Sequence, residues 1–187
     1  MHEDQSGALW IGGFAGLDRW DRRHGLWGHY RHDPEDSDSL SSDQVRSLYV
    51  DGEDTLWVGT EAALDRYDRQ TDRFVHYDLP VVMWMLEDQA GNFWLATKGG
   101  LYQLDRQSGQ GRLVREGWAW KIFLYEDSRG LIWVGTSGDG LEQFDPRSGR
   151  WRIFAYEADA PGGLGHHSVN ALCEDTEGAL WLATGNG

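Results

Sequence analysis

Cysteine is nearly absent from this 187-residue chain, which holds only Cys173. An intrachain disulfide and a cysteine metal cluster are therefore excluded. Cys173 follows Leu172 in an apolar run, so a buried, inert thiol is expected. Proline is scarce, at 4 residues against 25 glycines and 11 tryptophans, a balance that favours many short strands and tight turns over a disordered tail. Basic residues are outnumbered 17 to 31 by acidic ones, and the formal net charge is −14. Such a field repels polyanions, so neither nucleic acid nor an anionic membrane surface is an expected partner. No stretch approaches the roughly 18 apolar residues of a membrane span. Met1-His2-Glu3-Asp4 does not read as the opening of a signal peptide, so no membrane contact is expected of this segment. Helical periodicity is missing throughout. A Gly-x-Ser-x-Gly elbow, a phosphate-binding Gly-Lys-Ser/Thr loop and a His-Glu-x-x-His motif are also missing.

What the chain does contain is a repeat. Glu3 to Gly12, Val50 to Gly59, Glu87 to Ala96, Glu126 to Gly135 and Glu174 to Ala183 are variants of one phrase. Their tryptophans, Trp10, Trp57, Trp94, Trp133 and Trp181, stand 47, 37, 39 and 48 residues apart. Asp4, Asp88, Asp127 and Asp175 open tight turns and are suited to accept bonds from the turn's own backbone. Gly7, Gly91, Gly130 and Gly178 follow three residues later, where a positive φ is needed; Asp54 fills that slot in the second copy. The next strand, such as Leu56-Trp57-Val58, is apolar on both faces, as a sheet stacked between two like sheets requires.

A second phrase follows in the first four copies: Gly16 to Asp21, Ala63 to Asp68, Gly100 to Asp105 and Gly140 to Asp145. It alternates apolar and polar residues, as a strand does, and leads into a turn and a fourth strand. Another strand precedes the acidic turn at 45–50, 82–87, 121–126 and 169–174. Four antiparallel strands in about 40 residues is the dimension of a propeller blade. The fold class is therefore all-β, a β-propeller of four-stranded antiparallel blades with about four blades' worth of strands. The chain reads as one propeller segment over 1–187. Its blades fall at about 45–78, 81–115 and 120–155, with partial blades at about 1–30 and 169–187. The first copy is expected to lack its inner strand. The chain is either an arc of a larger propeller, which is preferred, or a small ring closed by the 169–174 strand joining the N-terminal sheet. Unpaired blade edges would then invite self-association.

Leu56-Trp57-Val58-Gly59-Thr60, Ile132-Trp133-Val134-Gly135-Thr136, and Gly140-Leu141 through Phe144-Asp145 to Ser148-Gly149 resemble the two-component regulator propeller repeat. Ala63 in place of a glycine, and Gly111 where Trp or Phe is usual, depart from that pattern. The resemblance implies an extracytoplasmic, periplasmic sensing region of a bacterial hybrid histidine kinase or related signalling receptor. It implies no catalysis or cofactor, and a response to an oligosaccharide or other small ligand. Two other readings are an enzyme similar to virginiamycin B lyase, with His166 or His167 as base, and a protein-interaction scaffold.

Loops entering the inner strand and loops between the second and third strands are expected on one face, beside the central channel. Two inner-strand connections, about 31–44 and 157–168, are long, and long loops on a rigid scaffold are where function is usually placed. Six residues are the candidate ligand contacts. Trp84 and Trp120, with Trp118 beside it, could stack on a sugar or simply pack between blades. Lys98 and Asp139 occupy equivalent loops that elsewhere hold Glu61 and Phe14. His166 and His167 lie in a long loop; adjacent residues of an extended segment point apart, so one metal is not expected to hold both. Asp33, Glu35, Asp36 and Asp38 lack the spacing of a calcium loop and read as a solvated linker.

Overall fold

The computed structural model describes residues 1–117, 123–156 and 163–186. All regular structure among them is β-strand, in radially stacked blades. Blade one holds β1 (His2–Glu3), β2 (Ala8–Gly13), β3 (Gly16–Asp21) and β4 (Leu26–Tyr30). Blade two holds β5 (Val45–Val50), β6 (Leu56–Thr60), β7 (Leu64–Asp68) and β8 (Arg73–Tyr77). Blade three holds β9 (Val82–Glu87), β10 (Phe93–Thr97), β11 (Gly100–Asp105) and β12 (Gln110–Glu116). Blade four holds β13 (Phe123–Glu126), β14 (Ile132–Gly135), β15 (Leu141–Asp145) and β16 (Arg150–Phe154). A fifth sheet pairs β17 (Val169–Glu174) with β18 (Leu180–Thr184). Every pairing is antiparallel between sequence neighbours, which short turns permit and parallel pairing would not.

One expectation is corrected, and the less favoured ring-closing alternative falls with it. Blade one does have an inner strand: His2 and Glu3 pair with Trp10 and Leu9. Two residues carry too little pattern to be read as a strand. That strand occupies the place the 169–174 segment would have needed for ring closure, and β17 instead pairs with β18 in its own sheet.

Each blade buries its second-strand tryptophan against the next blade. Trp10 packs with Leu56, Val58, Tyr67 and Phe74, while Trp57 packs with Phe93, Leu95 and Leu104. Trp94 packs with Ile132, Val134 and Phe144, and Trp133 with Val169. These four indoles are 0–5% exposed, whereas Trp181 is 65% exposed. Burying one such side chain is worth about 2–3 kcal/mol in apolar area, so the four interfaces hold the stack together.

Burial would strand the indole N–H, and the acidic turn prevents it. Trp10, Trp57, Trp94, Trp133 and Trp181 each donate Nε1–H to the carboxylate six residues earlier: Asp4, Asp51, Asp88, Asp127 and Asp175, at 2.8–2.9 Å. The other carboxylate oxygen accepts turn N–H groups, for Asp51 those of Glu53 and Thr55 at 3.0 and 2.9 Å. Arg69 and Arg106 reach back one blade to Asp4 and Asp51, each at 3.0 Å. The glutamates ending three inner strands do likewise: Glu87, Glu126 and Glu174 accept the backbone N–H of Gly52, Gln89 and Ser128 at 2.7–2.9 Å. Most of the acidity is thus spent on turns and blade-to-blade ties.

The place of the expected aromatic at Gly111 is taken from the side. Leu79, in the linker between blades two and three, puts its Cδ2 2.5 Å from where a Cβ on Gly111 would stand. Cys173 is exposed, which corrects the expectation of a buried thiol. Its strand partner is Trp181, and both lie on the face of the fifth sheet turned away from blade four.

Candidate functional site

Backbone hydrogen bonds bring two sets of loops to one face. Glu61, Lys98 and Gly185, just after second strands, donate N–H to Gln44, Val81 and Ser168, just before the inner strands of their own sheets, at 3.0–3.1 Å, while Gly16 and Gly140, where third strands begin, donate to Asp43 and His167 before the next inner strand at 2.7 and 2.9 Å. Each loop is thus tied to an inner-strand entry, its own in the second, third and fifth sheets and the next one in blades one and four, while the side chains differ. The equivalent loops carry Phe14, Glu61, Lys98 and Asp139.

Three of these positions are linked across blades one to three. The Glu61 carboxylate pairs with Arg46 of β5, and Lys98 Nζ lies 3.4 Å from its other oxygen. The Arg46 guanidinium sits over the Phe14 ring, 5.3 Å from its centroid, and Phe14 is 77% exposed. Burial opposes ionisation of Glu61, but the bonds from Arg46 and Lys98 outweigh it and hold the carboxyl below its ordinary range. Trp84 is 46% exposed on β9, and its ring meets Phe123 of blade four edge-on at 6.5 Å. Trp84, Arg46, Tyr49, Met83 and His2 line a recess of about 430 Å³ along the inner strands. Lys98 and Trp84 thus belong to one neighbourhood through Arg46. Arg46, Glu61 and Phe14 complete it, and Arg46 escaped the sequence reading because nothing in β5 marks it until the fold sets it against two neighbouring loops.

Asp139, His166 and His167 lie apart, where blade four meets the fifth sheet, with Gly140 bonded to the His167 carbonyl at 2.9 Å. The two histidines do not point apart. Their ring centroids are 4.0 Å apart, and Tyr156 stands 6.5 and 6.4 Å from them. The alternation rule fails because residues 163–168 form bends, and the strand begins only at Val169. His166 Nδ1 accepts the Ser168 N–H at 3.0 Å, which ties that nitrogen to the backbone. No group of three or more His, Cys, Asp or Glu side chains able to hold a metal occurs among the described residues. Trp118 and Trp120 lie outside the described residues.

The long 31–44 connection is pinned rather than loose. Leu40 is fully buried in the interface of blades one and two. Asp38 accepts the Phe74 N–H at 2.9 Å, and Arg73 pairs with Asp36 and Asp38 at 2.9 and 3.4 Å. Asp65, wholly buried, accepts from Ser41 N–H at 2.9 Å and sits 2.7 Å from His76 Nδ1. His76 Nε2 is in turn 2.9 Å from the Ser37 carbonyl. Burial pushes the Asp65 carboxyl up despite these bonds. The acidic stretch is therefore an edge cover for β8, with the carboxylates of Asp33, Asp36 and Asp38 taken by turn N–H groups and Arg73.

The family model described as two component regulator propeller matches residues 39–62, 121–138 and 163–186. Three stretches of the chain are thus similar to the two-component regulator propeller repeat. Solved extracellular domains of B. thetaiotaomicron share the arrangement. One, described as that of a hybrid two component system, is 27% identical with a TM-score of 0.74, over 98% of this chain and 28% of that one. Another, described as that of a one component system, is 27% identical with a TM-score of 0.75, over 98% and 28%. A gluconolactonase-type protein is 16% identical with a TM-score of 0.59, over 97% and 69%, a likeness of fold alone. No curated protein matches the chain in sequence. The chain spans less than a third of the length of the two extracellular domains. No helix among the described residues is long and apolar enough to cross a membrane.

Proposed function

We propose that these regulator propeller repeats form part of the ligand-sensing region of a two-component signalling receptor held outside the cytoplasm. The reading assigns the segment no catalytic step of its own. Its support is the likeness to extracellular domains of two component systems, joined to one observation on the chain itself. At the face where these loops are tied to the inner-strand entries, the side chains vary and converge: Phe14, Arg46, Glu61 and Lys98 form a linked polar and aromatic rim beside the exposed Trp84. Turn carboxylates repeat in every blade; this rim does not. An exposed indole beside paired cations and a carboxylate suits a hydroxylated ligand such as an oligosaccharide, which offers a C–H face for stacking and hydroxyls for the charged groups.

Calorimetric titration of the receptor's whole extracellular region with a panel of oligosaccharides tests this. Saturable heat that falls at least tenfold in affinity in Trp84→Ala and Arg46→Ala, with Trp181→Ala unchanged, is the expected result. Binding that ignores both substitutions would remove the rim from the site, and no binding across the panel, with unaltered signalling in both variants, would overturn the sensing role.

A further inference from the structure

A second concave site lies on the outer side of the stack, between blades three and four, away from the channel rim. It is a groove of about 480 Å³, within the range of small-ligand sites. On a chain of net charge −14, its lining holds two arginines, Arg112 and Arg147, and no carboxylate. One wall is aromatic: Trp151 lies over Phe144, with ring centroids 4.6 Å apart and planes at 25°.

The cationic wall is held in place by a chain of side chains. Asn92 Nδ2 donates to the buried Asp88 at 2.9 Å, and Gln103 Nε2 donates to Asn92 Oδ1 at 3.0 Å. Gln103 Oε1 then accepts from Arg112 Nη2 at 2.7 Å. An arginine with one arm fixed in this way keeps its planar fork oriented in the exposed position it occupies. The repeat itself supplies the comparison. At the Asn92 position the other copies carry Ala8, Thr55, Leu131 and Ala179. At the Arg112 position blades one and two carry Gly28 and Val75. Blade four carries Arg152, but there the guanidinium lies over Phe154, 4.6 Å from its centroid. The relay thus exists in one groove, while the blade scaffold is the same in all.

The geometry points to a binding site for a small carboxylate-bearing ligand, its acid group on the Arg112 fork and its body along the edge of Trp151, whose ring carries Phe144 and the Arg115 guanidinium 4.6 and 4.9 Å from its centroid. A guanidinium matches a carboxylate by two parallel hydrogen bonds, and the carboxylates behind the lining, Asp88 and Asp145, are taken up by hydrogen bonds from Asn92 and Trp94 and from Ser148. The site is separate from the channel rim and does not depend on it.

Titration of the chain with glucuronate, with phenylacetate and with neutral methyl glucoside, followed by NMR on the Trp151 indole N–H and the Arg112 Nε–H, tests the assignment. Saturable shifts with glucuronate or with phenylacetate, absent with methyl glucoside, are expected; whichever acid binds identifies the body as sugar or non-sugar. Loss of a charge-assisted fork should lower that affinity about tenfold or more in Arg112→Ala, with a smaller loss in Gln103→Ala. Arg152→Ala, the equivalent position one blade on, should leave it unchanged. The proposal is overturned by no saturable shift with either acid, by equal binding of methyl glucoside, or by equal losses in Arg112→Ala and Arg152→Ala.

Discussion

The acidic turns offer an experiment with its own control, because the same side-chain bonds occur in four buried settings and one exposed setting. Asp51 accepts the Trp57 indole N–H at 2.9 Å, the Glu53 and Thr55 N–H groups at 3.0 and 2.9 Å, and Arg106 of the next blade at 3.0 Å. Asp175 accepts the equivalent three from Trp181, Glu177 and Ala179 at 2.8–3.0 Å. Trp57 is 1% exposed and Trp181 is 65% exposed. In Asp51→Ala the indole N–H is left without an acceptor or water, which costs about 1–3 kcal/mol, and the turn bonds add about 1 kcal/mol each. Arg106 keeps Glu87 at 2.7 Å and so softens its own loss. A total of about 3–5 kcal/mol follows, against about 1–2 kcal/mol for Asp175→Ala, whose N–H can turn to water. Urea unfolding followed by far-UV circular dichroism should show the larger fall in midpoint for Asp51→Ala, by about 1 M at a slope near 2–3 kcal/mol per M. Stacked repeats can lose cooperativity, so hydrogen exchange of residues 51–57 and 175–181 gives a local reading of the same difference. Equal losses in the two variants would refute the claim that burial of the indole, rather than turn geometry, makes these carboxylates matter.

Asp4 provides the pH dependence. Burial opposes its ionisation, but bonds from Ser6, Trp10, Arg69 and Ala8 bring it down to about 2 from an ordinary 3.8. A depressed carboxyl contributes stability that is present above about pH 4 and lost as pH falls through about 2. The contribution is about 1 kcal/mol once solvent screening is allowed for, and thermal melts of Asp4→Asn should lose less stability between pH 4 and pH 2 than the parent chain. A parallel loss in both would contradict the assignment. Restoring the aromatic the repeat normally carries, by Gly111→Phe, should destabilise by about 1–3 kcal/mol, because Leu79 already fills the space. In a Leu79→Ala background the same change should cost at least about 1 kcal/mol less, and additive losses in the double variant would show that the two do not share a site.

The blades are legible because the physics that makes them is local. A turn that needs a carboxylate, a positive φ and a short apolar strand writes all three into ten residues, and it does so five times. The Trp–Asp bond was also present in the spacing, six residues in every copy, but an indole needs an acceptor only once its burial is known. What lay outside the reach of sequence were side-chain pairings set by register and loop path, within a blade or between blades. Arg46 meets Glu61, Arg115 meets the buried Glu142 with Nη2 at 2.8 Å from Oε1, and His76 meets Asp65; each pair joins positions that only a particular register and loop path bring together. His166 and His167 show the opposite failure. Residues 163–168 bend before the strand begins, so the two rings come together instead of apart.

A repeat protein separates scaffold from specialisation within one chain. Wherever the same backbone bond recurs with the same side chain, as at Asp4, Asp51, Asp88, Asp127 and Asp175, the residue is consumed by folding. Wherever the backbone bond recurs with a different side chain, folding leaves the choice open. Glu61 and Lys98 meet that condition on the channel face, and Asn92 with Arg112 meets it in the outer groove. The two places differ in sign. The rim balances Glu61 against Arg46 and Lys98, whereas the lining of the groove carries guanidinium without carboxylate in a strongly acidic chain. A ligand at the rim must therefore compete with an existing ion pair, while an anion in the groove need not, and the two sites should select different chemistry even though one repeat built both.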